Sequence, residues 1–251
     1  MNIGITNSHG ERLDAEVGGV DGPTAIIFVH GFGSNKNEGE NLFVDIAEKL
    51  NKIAKTVRFD FSGYGSSEGK QEEVSLPKMA ADLRSVLIWA DQNIFGRKII
   101  IAHSLGTLVT SYTCPEGIER SIFTGLPRAD TQETVNNIQR RITSRPDGVL
   151  NPSGISIYPR TSGTVQKIGP DFWASIAEAN ILELMKKYAL KTELTIIKPI
   201  HDEVTGPPEI TGAYRSIPGA RYLEISGTHN FARKWDRNRL IKIIKQIVEE
   251  P

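Results

Sequence analysis

The sequence predicts a doubly wound α/β protein: a mostly parallel central sheet with helices on both faces. Three observations predict it. Short apolar, β-branched runs recur along the chain, as at 25–29, 56–61 and 98–102. Stretches with three- and four-residue apolar spacing stand between them, as at 39–52 and 75–94. Glycine- and serine-rich loops follow several of the runs, as at 31–34 and 62–67. A run that is apolar throughout marks a strand buried on both faces, and strands alternating with helices imply parallel crossovers.

Taken in order, residues 3–7 and 12–17 read as two strands joined by the turn Asn7-Ser8-His9-Gly10-Glu11, where His9 is a solvated turn residue. The run at 25–29 enters His30-Gly31-Phe32-Gly33, and a helix over 39–52 places Leu42, Phe43, Ile46, Ala47 and Leu50 on one face. The strand at 56–61 is followed by a helix over 75–94, with Met79, Leu83, Val86, Leu87 and Ala90 sharing a side. Further strands are expected at 98–102, 121–124, 194–197 and 222–225, and helices at 171–189 and from 236 onward. The alternation breaks over 126–170, where five prolines and four glycines accompany weak periodicity and 154–158 alternates like an edge strand. A structureless loop of that length is improbable inside a compact domain. The expected organisation is therefore a core of 1–125 and 171–251 with an inserted lid at 126–170.

Composition narrows the function classes. Thirty basic residues balance thirty acidic ones, which gives no reason to expect a nucleic-acid partner. No apolar run approaches the ~18 residues of a membrane span. The N-terminal residues show no basic region followed by an apolar stretch, so no signal peptide is expected. The single cysteine, Cys114, has no internal disulfide partner, which agrees with a reducing compartment, and the expected location is cytoplasmic. The five scattered histidines lack ligand spacing and no GxGxxG opens a helix, so neither a metal nor a dinucleotide cofactor is expected. No signal for an oligomeric state is present.

The chemistry concentrates around Ala102-His103-Ser104-Leu105-Gly106. A strand that turns directly into a helix forces the turning residue into a strained conformation, and small residues two positions either side permit it. The serine hydroxyl then stands beside the free N–H groups of the first helical turn. A hydroxyl needs a base to take its proton, and an imidazole base needs a carboxylate to hold its tautomer. Asp202 follows the strand at 194–197 and His229 follows the strand at 222–225, in the chain order serine, acid, histidine. Glu203 is the rival acid. His103 is expected to point away from the serine as a packing residue or as support around the site, His30 to brace its loop, and His201 to be exposed or to support the acid. Two N–H donors are needed for a developing oxyanion. Leu105, directly after the serine, supplies one, and Phe32, in the loop after 25–29, the other.

The segments His30-Gly31-Phe32-Gly33-Ser34-Asn35-Lys36, Arg58 to Gly69, the serine turn and Ile196-Ile197…Asp202-Glu203-Val204 resemble the α/β-hydrolase superfamily. Within it they are most similar to bacterial carboxylesterases that include feruloyl and cinnamoyl esterases. The resemblance covers nearly the whole chain except the lid. It implies Ser104 as nucleophile, Asp202 as acid, His229 as base, and Phe32 and Leu105 as oxyanion donors. The chain departs from that pattern at Ala102 and Thr107, where glycines are usual, and at Lys198-Pro199-Ile200, which lacks a glycine before the acid. The expected function is hydrolysis of a small-molecule carboxylic ester through an acyl-enzyme. Thioester or amide hydrolysis, acyl transfer, and a ligand-binding protein with little turnover are the alternatives. A dehalogenase would need aspartate at 104. Substrate contacts are expected from His30, Gly31, Ile155, Ile157, Tyr158 and Trp173, with Phe172 in the same apolar group.

Overall fold

The computed structural model describes residues 1–161 and 163–250, and among them ten strands and seven α-helices alternate. The strands are β1 (Asn2–Thr6), β2 (Arg12–Gly19), β3 (Thr24–Val29), β4 (Lys55–Phe59), β5 (Arg97–His103), β6 (Ile118–Thr124), β7 (Ser156–Pro159), β8 (Val165–Ile168), β9 (Glu193–Pro199) and β10 (Arg221–Ile225). The helices are α1 (Leu42–Leu50), α2 (Leu76–Asn93), α3 (Leu105–Thr113), α4 (Thr131–Thr143), α5 (Pro170–Glu178), α6 (Ile181–Ala189) and α7 (Lys234–Glu249). Eight strands form one sheet in the order β1-β2-β4-β3-β5-β6-β9-β10, while β7 and β8 pair separately. Pairings from β4 through β10 are parallel, and β1–β2 and β2–β4 are antiparallel.

The period-two geometry of a strand sorts each apolar run onto two cores. On one face, Ile26 and Phe28 of β3 and Ile99 and Ile101 of β5 meet Phe43 and Ile46 of α1 and Leu240 and Ile244 of α7. On the other, Ala25, Ile27 and Val29 of β3 and Ile100 and Ala102 of β5 meet Leu83 and Val86 of α2 and Leu108 of α3. Both faces are covered, which is why these strands read as unbroken apolar runs. No helix among the described residues is long and apolar enough to cross a membrane.

Two sequence expectations need correction. The helix expected over 171–189 is two, α5 and α6, broken at Ala179, whose backbone is extended (φ −74, ψ 119). Asn180 then restarts the helix by accepting the Glu183 N–H at 3.2 Å. The 126–170 stretch also contains a helix, α4, which its weak periodicity concealed. Asp130 caps α4 by accepting the Glu133 N–H at 2.8 Å, and Val135, Ile138 and Ile142 are its only buried aliphatic side chains. A helix polar on all but one narrow stripe gives little apolar signal along the sequence. Those side chains, with Tyr158 and Ile168 of the hairpin, join the core of the α2–α3 face. Ser162, within this stretch, lies outside the described residues.

Candidate active site

Ser104 joins β5 to α3 with φ 52 and ψ −126, a conformation that costs a non-glycine residue on the order of 1–3 kcal/mol. The surroundings hold it there. Its N–H donates to the Thr124 carbonyl at 2.9 Å, and its own carbonyl accepts the Thr107 N–H at 3.0 Å and the Thr107 hydroxyl at 2.7 Å. The departure at Thr107 therefore contributes an extra tie to the turn. The departure at Ala102 places a methyl in the core. Gly106 is required: a Cβ there would stand 2.2 Å from the Val29 carbonyl oxygen, so α3 could not start so close to β3. Gly31 likewise abuts the serine, where a Cβ would lie 2.8 Å from Ser104 Cβ.

Asp202 and His229 meet at the ends of β9 and β10. His229 Nδ1 stands 3.0 Å from Asp202 Oδ1 and 3.1 Å from Oδ2, and both side chains are buried. With the ring proton on Nδ1 donating to the carboxylate, Nε2 keeps a free lone pair. Asp202 Oδ1 also accepts the N–H groups of Val204 at 2.9 Å and Thr205 at 2.8 Å, and Oδ2 accepts the Thr205 hydroxyl at 2.8 Å. Burial by itself would raise this carboxyl, but the attraction and hydrogen bond of His229, with the Lys198 cation, outweigh it and hold Asp202 well below the usual carboxylate range. Glu203 serves the backbone instead. Its Oε2 accepts the N–H of His229 at 2.9 Å, steadying the loop rather than the ring.

Lys198 belongs to this group, and the sequence reading missed it. Its ammonium, only 1 % exposed, donates to Asp202 Oδ2 at 3.2 Å, Thr205 Oγ1 at 3.1 Å and the Gly206 carbonyl at 2.6 Å. Burial pushes its pKa down, and Asp202 only partly offsets that. The available signal was a lone charge in the run Leu194-Thr195-Ile196-Ile197-Lys198, since a buried lysine needs a partner.

His30 is fully buried with both ring nitrogens engaged. Nε2 accepts the Phe61 N–H at 3.1 Å, so Nδ1 carries the proton and donates to the Gly31 carbonyl at 2.9 Å. It braces the loops after β3 and β4. Desolvation holds it neutral, below the ordinary histidine value. The Gly31 N–H is taken by the buried Glu38 carboxylate at 2.5 Å, so it is not free for an oxyanion. His103 is fully buried beside His229. Its ring packs against His229 with centroids 4.6 Å apart, and Nε2 meets Asn230 Oδ1 at 3.1 Å. Desolvation and the neighbouring His229 lower it to about 4. His201 is exposed.

Ser104, Leu105 and Phe32 open on a narrow cleft of about 40 Å³, whose opposite wall is Pro127, Arg128, Thr134, Asn137, Ile138 and Arg141, with Val204 and Thr205 at the side. None of the six expected substrate contacts lines it. Ile155 is 44 % exposed, Tyr158 is buried in a stack with Phe32, and Trp173 is buried with Nε1 donating to Ser156 Oγ at 3.2 Å. Ile157 lies on the hairpin, and His30 and Gly31 serve the loop described above. The wall comes instead from α4, tied to the acid loop by Asn137 Nδ2 donating to the Val204 carbonyl at 2.9 Å. A roomier groove of about 670 Å³ runs along β10 and α7, and none of Ser104, Asp202 and His229 lines it. Among the described residues, no cluster of three or more His, Cys, Asp or Glu could hold a metal ion.

Residues 24–121 match the family described as alpha/beta hydrolase fold. A segment of 82 residues is 40 % identical to the mitochondrial palmitoyl-protein thioesterase ABHD10 of Rattus norvegicus, covering 32 % of this chain and 26 % of that protein's length. Among solved structures, Est1E of Butyrivibrio proteoclasticus, with ferulic acid bound, superposes at a TM-score of 0.74 and 19 % identity over 98 % of this chain and 97 % of that one. The mouse alpha/beta hydrolase domain-containing protein 10 superposes at 0.70 and 20 % identity over 99 % and 98 %. The esterase domain of a Rhodothermus marinus protein does so at 0.72 and 15 % identity over 99 % and 97 %. The strand order, the strained serine turn and these likenesses agree: the chain has the α/β-hydrolase fold.

Proposed function

We propose that the protein is a serine hydrolase that cleaves carboxylic esters through an acyl-enzyme. The observation that carries this reading is the buried His229–Asp202 pair at the same sheet end as a serine held in the strained strand-to-helix turn. With Nδ1–H held by Asp202, His229 takes the Ser104 proton at Nε2 as the hydroxyl oxygen attacks the ester carbonyl. The N–H groups of Leu105 and Phe32 stabilise the oxyanion, since Leu105 opens α3 and has no intrahelical acceptor. His229 then hands the proton to the departing alcohol. Water, deprotonated by the same nitrogen, releases the acid and restores the serine.

The 126–170 segment acts as a lid in this reading, with α4 as the wall facing Ser104. A cleft of about 40 Å³ admits a water molecule or two, so access for an ester requires α4 side chains to move. Thioester cleavage uses the same steps, and the likeness to a palmitoyl-protein thioesterase over 82 residues favours it as the second reading. The test is a series of p-nitrophenyl esters and matched acyl thioesters of increasing chain length, with Ser104→Ala as control. Hydrolysis abolished by Ser104→Ala supports the serine mechanism, and the ester-to-thioester ratio of kcat/KM decides between the two readings. Turnover that survives in Ser104→Ala overturns both.

A further inference from the structure

The wall facing Ser104 carries more positive charge than the chain's own acids neutralise. Arg128 and Arg141 both line the cleft. Arg128 donates through Nη1 to Glu133 at 2.9 Å, but its Nε is buried without a partner. Arg141 lies over the Tyr158 ring, 5.7 Å from its centroid, and no carboxylate of the described residues pairs with it. Arg160 lies over the same ring at 4.9 Å, with one long bond of 3.4 Å from Nη2 to the Phe32 carbonyl and Nη1 buried without a partner.

The nearby acids are already committed. Asp202 is held by His229, Lys198 and Thr205, and Glu38 by the N–H groups of Gly31 and Gly39. Two guanidinium groups sharing one tyrosine ring repel each other, and desolvating them costs free energy unless an anion compensates. Stacking on Tyr158 offsets only part of that cost. A guanidinium that borders the nucleophile and lacks its own carboxylate is a ready fork for one brought by a ligand.

We propose that the ester taken by this site carries a carboxylate, and that Arg141 on α4 receives it while Ser104 attacks the ester carbonyl. This rests on the hydrolase reading above and narrows its substrate class. Arg128 and Arg160 add to the positive potential around the cleft, so binding weakens as salt screens it. The carboxylate sits on either the acyl or the alcohol half of the ester.

Two isosteric pairs separate those halves. For the acyl half, the p-nitrophenyl half-ester of adipic acid is compared with the ester in which isopropyl replaces the carboxylate. For the alcohol half, para-acetoxybenzoate is compared with para-isopropylphenyl acetate. In at least one pair the wild type should favour the anion by tenfold or more in kcat/KM at low salt. Arg141→Gln should cut that ratio at least tenfold, chiefly through KM, and Arg141→Lys should restore part of it. A ratio unchanged by Arg141→Gln in both pairs overturns the proposal. Calorimetric titration of Ser104→Ala with monomethyl adipate and with benzoate separates this from the hydrolase reading. Binding that disappears when Arg141→Gln is added upholds the anion site even if no ester is hydrolysed. Binding of neither anion overturns it.

Discussion

The sheet end and the 126–170 segment are built on different principles. At the sheet end Ser104, Asp202 and His229 follow the strands β5, β9 and β10, and hydrogen bonds fix the middle one: five donor groups converge on the Asp202 carboxylate. The 126–170 segment instead holds its place by packing. Ile138 and Ile142 of α4 and Tyr158 and Ile168 of the hairpin join the sheet's core, while a few polar ties such as Asn137 to Val204 set its distance from the cleft. The first arrangement suits chemistry that tolerates little displacement. The second suits recognition, because a wall held mostly by dispersion can shift without breaking a network.

The largest losses of activity are expected at the sheet end. Ser104→Ala should reduce kcat for ester hydrolysis on the order of 10⁴–10⁶-fold with the thermal midpoint kept, measured by steady-state kinetics and circular dichroism. Asp202→Asn should cost about 10⁴-fold by losing the acceptor that selects the imidazole tautomer. Glu203→Gln should change kcat little, because its contact is to a backbone N–H and an amide oxygen can replace it. Equal losses for the two acids would show that the loop, not the carboxylate at 202, sets the rate.

Ile142 is fully buried away from the cleft, so Ile142→Ala should lower stability by about 2–4 kcal/mol in urea titrations and leave acyl preference as it is. Ile138 is both core and cleft wall, and Ile138→Ala should also shift the ranking of acyl chain lengths toward longer groups. The same ranking in both variants would remove α4 from recognition.

Acid stability probes the packed histidine. His103 falls from the ordinary 6.5 to about 4 on folding, so the folded protein binds fewer protons there than the unfolded chain. Its contribution is therefore complete above about pH 6.5, falls as pH drops toward 4, and loses about 3 kcal/mol in that window. His103→Gln should remove most of that slope, as read from urea midpoints between pH 7 and pH 4.

What was legible in the sequence was what depends on local pattern. Strands buried on both faces announce themselves as apolar runs, so β3, β5 and β9 were placed within a few residues. The candidate residues Ser104 and Asp202 follow two such strands, and His229 follows the half-exposed β10, so each inherits its place from its strand. Tertiary structure alone decided what faces the serine. The side of a helix that meets a cleft depends on how the helix packs, and α4, with one narrow apolar stripe, left no strong mark in the sequence. The apolar residues expected to touch substrate, Tyr158 and Trp173 among them, were drawn inward instead, since burying an aromatic ring removes more surface from water than leaving it in a cleft. Among the groups left at the wall were Arg128 and Arg141, whose charge resists burial and whose position no linear spacing reveals.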